Sequence, residues 1–170
     1  MSWKAIPLML SIVKLGDPVL IKHSIVVPDI NDEVRTLIAN MFETMEKGKG
    51  VGLAAVQVGE LLRVFVTKVP GDSQRVFINP DILETSIEQV TMEEGCLSIP
   101  GLYTDVVRPT SVRIQAWNEK GRPFSLSAED YLARVIQHEL DHLNGILFID
   151  RVGPKKKQRL LAEYDSKVGV

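Results

Sequence analysis

The first regular pattern along the chain is helical. Val34, Leu37, Ile38, Met41, Phe42 and Met45 recur at spacings of three and four, the stripe that one face of an amphipathic helix turns toward a core. Asn31 or Asp32 can cap this helix and Gly48 can end it. From Leu61 to Leu126 the pattern changes to short strands. Apolar runs at Arg63 to Thr67, Val76 to Ile78, Ile87 to Met92 and Tyr103 to Val107 come first; then Val112, Ile114 and Ala116 alternate with Arg113, Gln115 and Trp117. Asn118-Glu119-Lys120-Gly121 reads as a hairpin turn into Pro123 to Leu126. Ser127-Ala128-Glu129-Asp130 then has the form of an N-cap with acids in the first turn, opening a second helix that Gly145 ends. Pro154 suits the first turn of a terminal helix. Strands followed by a central helix predict an α+β fold. No internal repeat, low-complexity tract or linker divides the chain, so residues 1–170 read as one domain.

Composition narrows this reading without changing it. With 170 residues, 45% hydrophobic and 25% charged, the chain can bury about 70% of its unfolded surface and needs no staple. One cysteine excludes an intrachain disulfide, and no segment reaches the roughly 18 apolar residues of a membrane span. The apolar patch from Ile6 to Val13 contains Pro7, follows no basic cluster and precedes no small-residue cleavage site; the expectation is a cytoplasmic protein with no membrane partner. Charge is uneven. Residues 151–170 carry six basic and two acidic side chains, against fourteen and twenty in residues 1–150. Lys155, Lys156 and Lys157 sit where a helix dipole disfavours positive charge, a small penalty for exposed side chains.

The chemistry concentrates in Gln137-His138-Glu139-Leu140-Asp141-His142. On a helix His142 lies about 40° around from His138, and Glu139 about 60° to one side of His142. Two imidazoles can therefore hold one borderline divalent cation, and the carboxylate can reach a water on it; the cation acidifies that water and Glu139 relays the proton. The implied reaction class is hydrolysis of an amide or ester. A catalytic site of this kind needs a third protein ligand. His23 stands on a polar edge with no second ligand nearby, which leaves Cys, Asp or Glu. Cys96, in the tight segment Glu93-Glu94-Gly95-Cys96-Leu97-Ser98, is the candidate; its alternative is a buried free thiol. A thiolate would favour iron(II), zinc, nickel or cobalt over magnesium or calcium.

Gly48-Lys49-Gly50-Val51-Gly52-Leu53-Ala54-Ala55-Val56-Gln57 adds glycines where a backbone can approach a ligand, and a lone amide that can act as a structural hydrogen-bonding group or as a donor to a developing oxyanion. The segment lacks the Gly-Lys-Ser/Thr ending of a phosphate loop.

In this order, Gly50 to Gln57, Glu94 to Ser98 and Gln137 to His142 resemble the three signature motifs of the peptide deformylases. Leu15-Gly16-Asp17-Pro18-Val19-Leu20, Phe77-Ile78-Asn79-Pro80 and Leu143-Asn144-Gly145-Ile146-Leu147-Phe148 resemble that family as well. The resemblance implies mixed or antiparallel sheets packed around a central metal-binding helix, with an N-terminal and a C-terminal helix. It implies removal of the formyl group from N-formyl-methionyl nascent peptides, with release of formate. Cys96, His138 and His142 would bind one divalent metal ion, Fe2+ in the cell, with Zn2+, Ni2+ or Co2+ as alternatives. Glu139 would be the general base and then acid, and Gln57 with the backbone N–H of Leu97 would form the oxyanion hole. The peptide would lie as an added strand between Gly50 to Gly52 and Gly95, its methionine in a pocket walled by Val51, Met92, Tyr131, Arg134, Val135 and His138. Arg134 would place its stem along that wall with its head in water, or else form a surface ion pair. Glu94 and Arg108 would brace the cysteine turn. Tyr103 departs from the arginine that some members carry at the pocket rim. The basic segment 154–170 is a candidate for transient contact with ribosomal RNA. Two rivals stand beside this reading: a zinc endopeptidase built on the same helix motif, and a metal-binding or peptide-binding module without activity.

Overall fold

The computed structural model describes residues 6–169. Helix α1, Asp32–Lys47, forms where the apolar stripe predicted it, and Asn31 caps it by accepting the Val34 N–H at 3.1 Å. Asp32 and Glu33 stand at its start and Lys47 at its end, each sign complementing the helix dipole. Five strands form one antiparallel sheet in the order β1-β2-β3-β6-β7: β1 Gly52–Ala54, β2 Val64–Thr67, β3 Arg75–Thr85, β6 Ser111–Trp117 and β7 Pro123–Glu129. A separate antiparallel ribbon joins β4 Gln89–Cys96 to β5 Ile99–Pro109. Helix α2, Asp130–Leu143, lies between sheet and ribbon, and α3, Pro154–Lys167, packs on β5.

The layers follow from side-chain alternation. On β2, Val64 and Val66 enter the core shared with α1, while Phe65 enters the core shared with α2. All four β2 residues are therefore buried. A third core joins the ribbon's inner face, through Ile99, Leu102 and Val106, to Phe148 and to Leu160 and Tyr164 of α3.

Several boundaries differ from the sequence reading: β4 starts later and runs on to Cys96, β5 reaches from Ile99 to Pro109, and two further differences have a clear physical reason. Strand β3 continues past Asn79-Pro80 to Thr85, because a register shift between Ile78 and Asp81 leaves the proline at a bulge, where no ladder donor is required. Ser127 to Glu129 do not begin the second helix but end β7, where Ser127 pairs with Arg113 and Ala128 with Val112. The chain turns the corner at Asp130, whose φ is +53°, and Glu129 at the N-cap makes no side-chain capping bond. The helix end is as expected. Gly145, at φ +72°, donates to His142 O at 3.2 Å while Ile146 donates to Asp141 O at 2.9 Å, the paired bonds of a Schellman cap. A Cβ on Gly145 would lie 2.5 Å from Ile21 O, so space as well as conformation demands glycine there.

Candidate active site

Helix α2 is buried almost all round, and its buried face is not apolar. Arg134, Gln137, His138, Glu139, Asp141 and His142 all lie inside, so each needs a partner. The fold brings Cys96, at the end of β4, to the two histidines, and the three ligand atoms lie within 4.8 Å of one another. Cys96 Sγ is 3.3 Å from His142 Nε2, and the two imidazole rings meet edge-on at 5.1 Å. Cys96 is placed by a register shift between Gly95 and Cys96 that tightens the turn into Ile99. His23, by contrast, is exposed and remote from this cluster.

A single thiol and two imidazoles suit a borderline divalent ion. One orphaned atom agrees with this: Glu139 Oε2, beside the donor cluster, is buried with no hydrogen-bond partner among the described residues. His138 is oriented through its other nitrogen, because Nδ1 lies 2.9 Å from Glu94 Oε1, the outer carboxylate that fixes the ring of a metal-ligating histidine.

Burial and pairing separate the titrating groups. Burial pushes the Glu139 carboxyl up to about 7, against the smaller opposing pull of His138. Burial also acts to raise Glu94, but hydrogen bonds from His138 and Arg108 outweigh it and hold that carboxyl well below the usual range. Burial drives His142 well below the ordinary histidine value, whereas hydrogen bonds to Cys96 and Glu94 overcome burial and raise His138. A carboxyl poised near neutrality beside permanently charged neighbours is suited to taking up and returning a proton.

Gln57 stands in the 3-10 turn Ala55–Val58 that follows β1. Its Oε1 accepts the Ala54 N–H at 2.9 Å, which turns Nε2 toward Ser98 Oγ at 3.1 Å and Cys96 Sγ at 3.4 Å. The amide is thereby aimed at the donor cluster.

A cleft of about 530 Å³ opens over these groups, lined by Gly50, Val51, Gly52, Gln57, Glu94, Gly95, Cys96, Leu97, Tyr103, Tyr131, Arg134, Val135, His138 and Glu139, with others. On its two sides run β1 and β4, each paired along one edge only among the described residues. The glycines serve internal packing at the same time. A Cβ on Gly52 would lie 2.8 Å from both Glu139 Oε1 and Val135 Cγ1, and one on Gly95 2.5 Å from the Tyr103 ring.

One expected wall residue, Met92, lies outside the lining, and Arg134 lines the cleft with its head placed differently from expectation. Met92 is half-buried and does not reach the lining; the Arg134 guanidinium occupies the neighbouring ribbon, bonding Val90 O and the carbonyl of Val106, Met92's ladder partner. Arg134 itself neither sends its head to water nor forms a surface ion pair. It is 3% exposed and donates to Glu94 Oε2 at 2.6 Å. Arg108 lies behind Glu94, holding both carboxylate oxygens at 2.6 and 3.0 Å.

The network extends beyond the residues that sequence reasoning selected. Arg108 Nη1 bonds Asp141 Oδ2 at 2.9 Å, and Asp141 is gripped from its other side by Arg151 at 2.6 and 3.0 Å. Asp141 was in view, one position before His142, but its partners lie 33 residues upstream and 10 downstream, and nothing local announces them.

Comparison with known proteins bears on this arrangement. A family model described as polypeptide deformylase matches residues 9–158. A peptide deformylase of Clostridium botulinum is 54% identical over 142 residues, covering 84% of this chain and 95% of that protein. One from Treponema pallidum is 47% identical over 150 residues, covering 88% and 92%. Among solved structures, peptide deformylase from Ehrlichia chaffeensis superposes with a TM-score of 0.90 at 36% identity, covering 94% of this chain and 96% of that one. The enzyme from that organism in complex with actinonin gives 0.91 at 37% identity, covering 94% and 98%.

Proposed function

The chain belongs to the polypeptide deformylase family, and from that premise we propose that it is a metal-dependent hydrolase that removes the formyl group from the N-terminal formyl-methionine of nascent polypeptides, releasing formate. The observation that carries this reading is the convergence of Cys96, His138 and His142 beneath a cleft that also holds Glu139 and Gln57.

Cys96, His138 and His142 would hold one divalent ion, Fe2+ in the cell and Zn2+, Ni2+ or Co2+ in substituted forms. When bound, the ion supplies Lewis acidity to the formyl carbonyl and lowers the pKa of water at the site. Glu139 takes the proton released as the water oxygen adds to the formyl carbon. It returns that proton to the amide nitrogen as the carbon–nitrogen bond breaks, leaving formate and a free amino terminus. Burial raises its proton affinity toward neutrality, so the carboxylate can take up this proton and the acid can give it back. Gln57 Nε2, held in place through its own Oε1, and the Leu97 N–H donate to the oxygen on which negative charge develops; each such donor is worth about 3 kcal/mol. Glu94 and Arg108 brace the cysteine turn and the His138 ring.

The peptide backbone adds as a strand between Gly50 to Gly52 and Gly95, the main-chain recognition that open strand edges offer. Its methionine enters the pocket walled by Val51, Tyr131, Val135, His138 and the Arg134 stem. A formyl carbonyl needs room for only a hydrogen beyond it, which favours this reaction over endoproteolysis. Anaerobically prepared protein should release formate from a formyl-Met peptide and leave internal peptide bonds intact. Peptide cleavage without formate, or metal binding without either product, would overturn the proposal.

No described helix is long and apolar enough to cross a membrane, and we place the protein in the cytoplasm, where the substrate arises. The same reading gives the basic helix α3 a transient contact with ribosomal RNA near the peptide exit. Lys155 and Arg159 on it are exposed, while Lys157 is paired with Asp150. Deleting residues 154–170 should reduce ribosome co-sedimentation at low salt; unchanged co-sedimentation removes this contact.

A further inference from the structure

The candidate metal donors stand on two separate elements, Cys96 at the end of β4 and both histidines on α2. Any shift of the ribbon against the helix opens the donor set. The ties between those two elements therefore decide its geometry. One tie runs from ribbon to helix, where Arg108 on β5 reaches Asp141. Others run back: Gln137 Nε2 donates to Pro109 O at 3.1 Å, His138 Nδ1 meets Glu94 Oε1, and Arg134 makes the most bonds, its Nη1 donating to Glu94 Oε2 at 2.6 Å and to Val106 O at 2.8 Å and its Nη2 to Val90 O at 2.8 Å. A single side chain of α2 thus grips both strands of the ribbon and the carboxylate that orients His138.

A cleft wall needs no such residue. An apolar side chain of similar length would line the cavity without the desolvation that a guanidinium 3% exposed must suffer. A planar fork with several donors is required only if one carboxylate and two carbonyls must be held together in fixed directions. We propose that Arg134 is a positioning residue of the metal centre: it locks Glu94, and through it His138, while fixing the separation between the strand that bears Cys96 and the helix that bears the histidines. This rests on the metal-binding reading above and assigns Arg134 a role distinct from that of a methionine-pocket wall.

Cobalt(II) titration of the metal-free protein tests it, following the sulfur-to-cobalt charge-transfer absorption alongside thermal unfolding. R134M should bind cobalt 10–100-fold more weakly, the usual loss when an outer partner of a metal ligand is removed, and its charge-transfer band should move. R134K, which restores the charge but not the fork, should recover part of the affinity. In the cobalt-loaded enzyme kcat should fall more than KM rises.

Wild-type cobalt affinity and an unmoved band in R134M, with only a lowered unfolding temperature or a raised KM, would reduce Arg134 to a structural or wall residue and overturn the proposal. Should R134M not fold, R134K decides alone: full wild-type affinity and spectrum refute the positioning role, and a weakened, shifted complex supports it. A wild-type protein that binds cobalt with no sulfur band fails differently. That result removes the Cys96 ligand itself, and the proposal with it.

Discussion

Strand β2 and helix α2 both lie inside the molecule, but they are buried on different terms. The β2 side chains Val64, Phe65 and Val66 meet apolar neighbours on two faces, and the β2 backbone is paired with β1 and β3 on both edges. None of these three side chains has to find a polar partner, and the strand's one buried hydroxyl, Thr67 Oγ1, has none among the described residues. Helix α2 buries two histidines, two carboxylates and an arginine, of which Arg134, His138 and Asp141 are held by specific groups from β4, β5 and the segment before α3. The first region tolerates exchange among residues of similar shape. The second is weakened when a charged partner is removed, because the group left behind is charged and buried. Stability resides mainly in one and chemistry in the other.

This contrast is broken most sharply at Glu139. Glu139→Ala should retain bound metal and an intact fold while formate release falls by about 10²–10⁴-fold, the contribution of a positioned general base; a fully active variant would refute the assigned base. The converse substitution lies in the apolar layer. Phe65, fully buried and stacked on Phe77 at 4.6 Å, should cost about 3–5 kcal/mol of unfolding free energy when changed to alanine, with metal stoichiometry unaltered in the protein that remains folded.

Acid–base titration sharpens the comparison, because Glu139 and Glu94 act with opposite sign. Glu139 has a raised pKa, so in the metal-free protein its unfolded form loses a proton near pH 4.5 while the folded form keeps it to about 7. Folding stability should therefore decline as pH rises through that window, by on the order of 3 kcal/mol, and Glu139→Gln should flatten the decline in pH-dependent denaturation curves. Glu94 has a depressed pKa. Its contribution is present above the unfolded value and is lost as the solution is made more acid than that. The smallest effect belongs to the surface: Asn31→Ala removes the α1 cap and should lower stability by about 1 kcal/mol without changing turnover.

Much of this architecture is legible in the sequence where the signal is local. The α1 stripe and its Asn31 cap follow from helical period, and the Asn118 turn is closed by its own side chain, which accepts the Lys120 and Arg122 N–H groups. His138, Glu139 and His142 are readable because one helical turn sets their relation. Cys96 needed the family resemblance, since a lone thiol is equally at home in a core. The strand-to-helix corner at Asp130 was misread because acids after a serine imitate a cap, and β3 was cut short because its bulge accommodates Pro80. Arg134 was the least legible residue. Its partners Val106, Glu94 and Val90 lie 28, 40 and 44 residues away, and only the folded arrangement shows that a residue one turn before His138 faces inward.

The central claim, one sulfur and two ring nitrogens on a single cation, is tested most directly by X-ray absorption at the metal edge of the zinc-loaded protein. The account predicts one sulfur at about 2.3 Å and two imidazole nitrogens at about 2.0–2.1 Å, with the sulfur shell lost in Cys96→Ser. A metal shell made only of nitrogen and oxygen in the wild-type protein would contradict it.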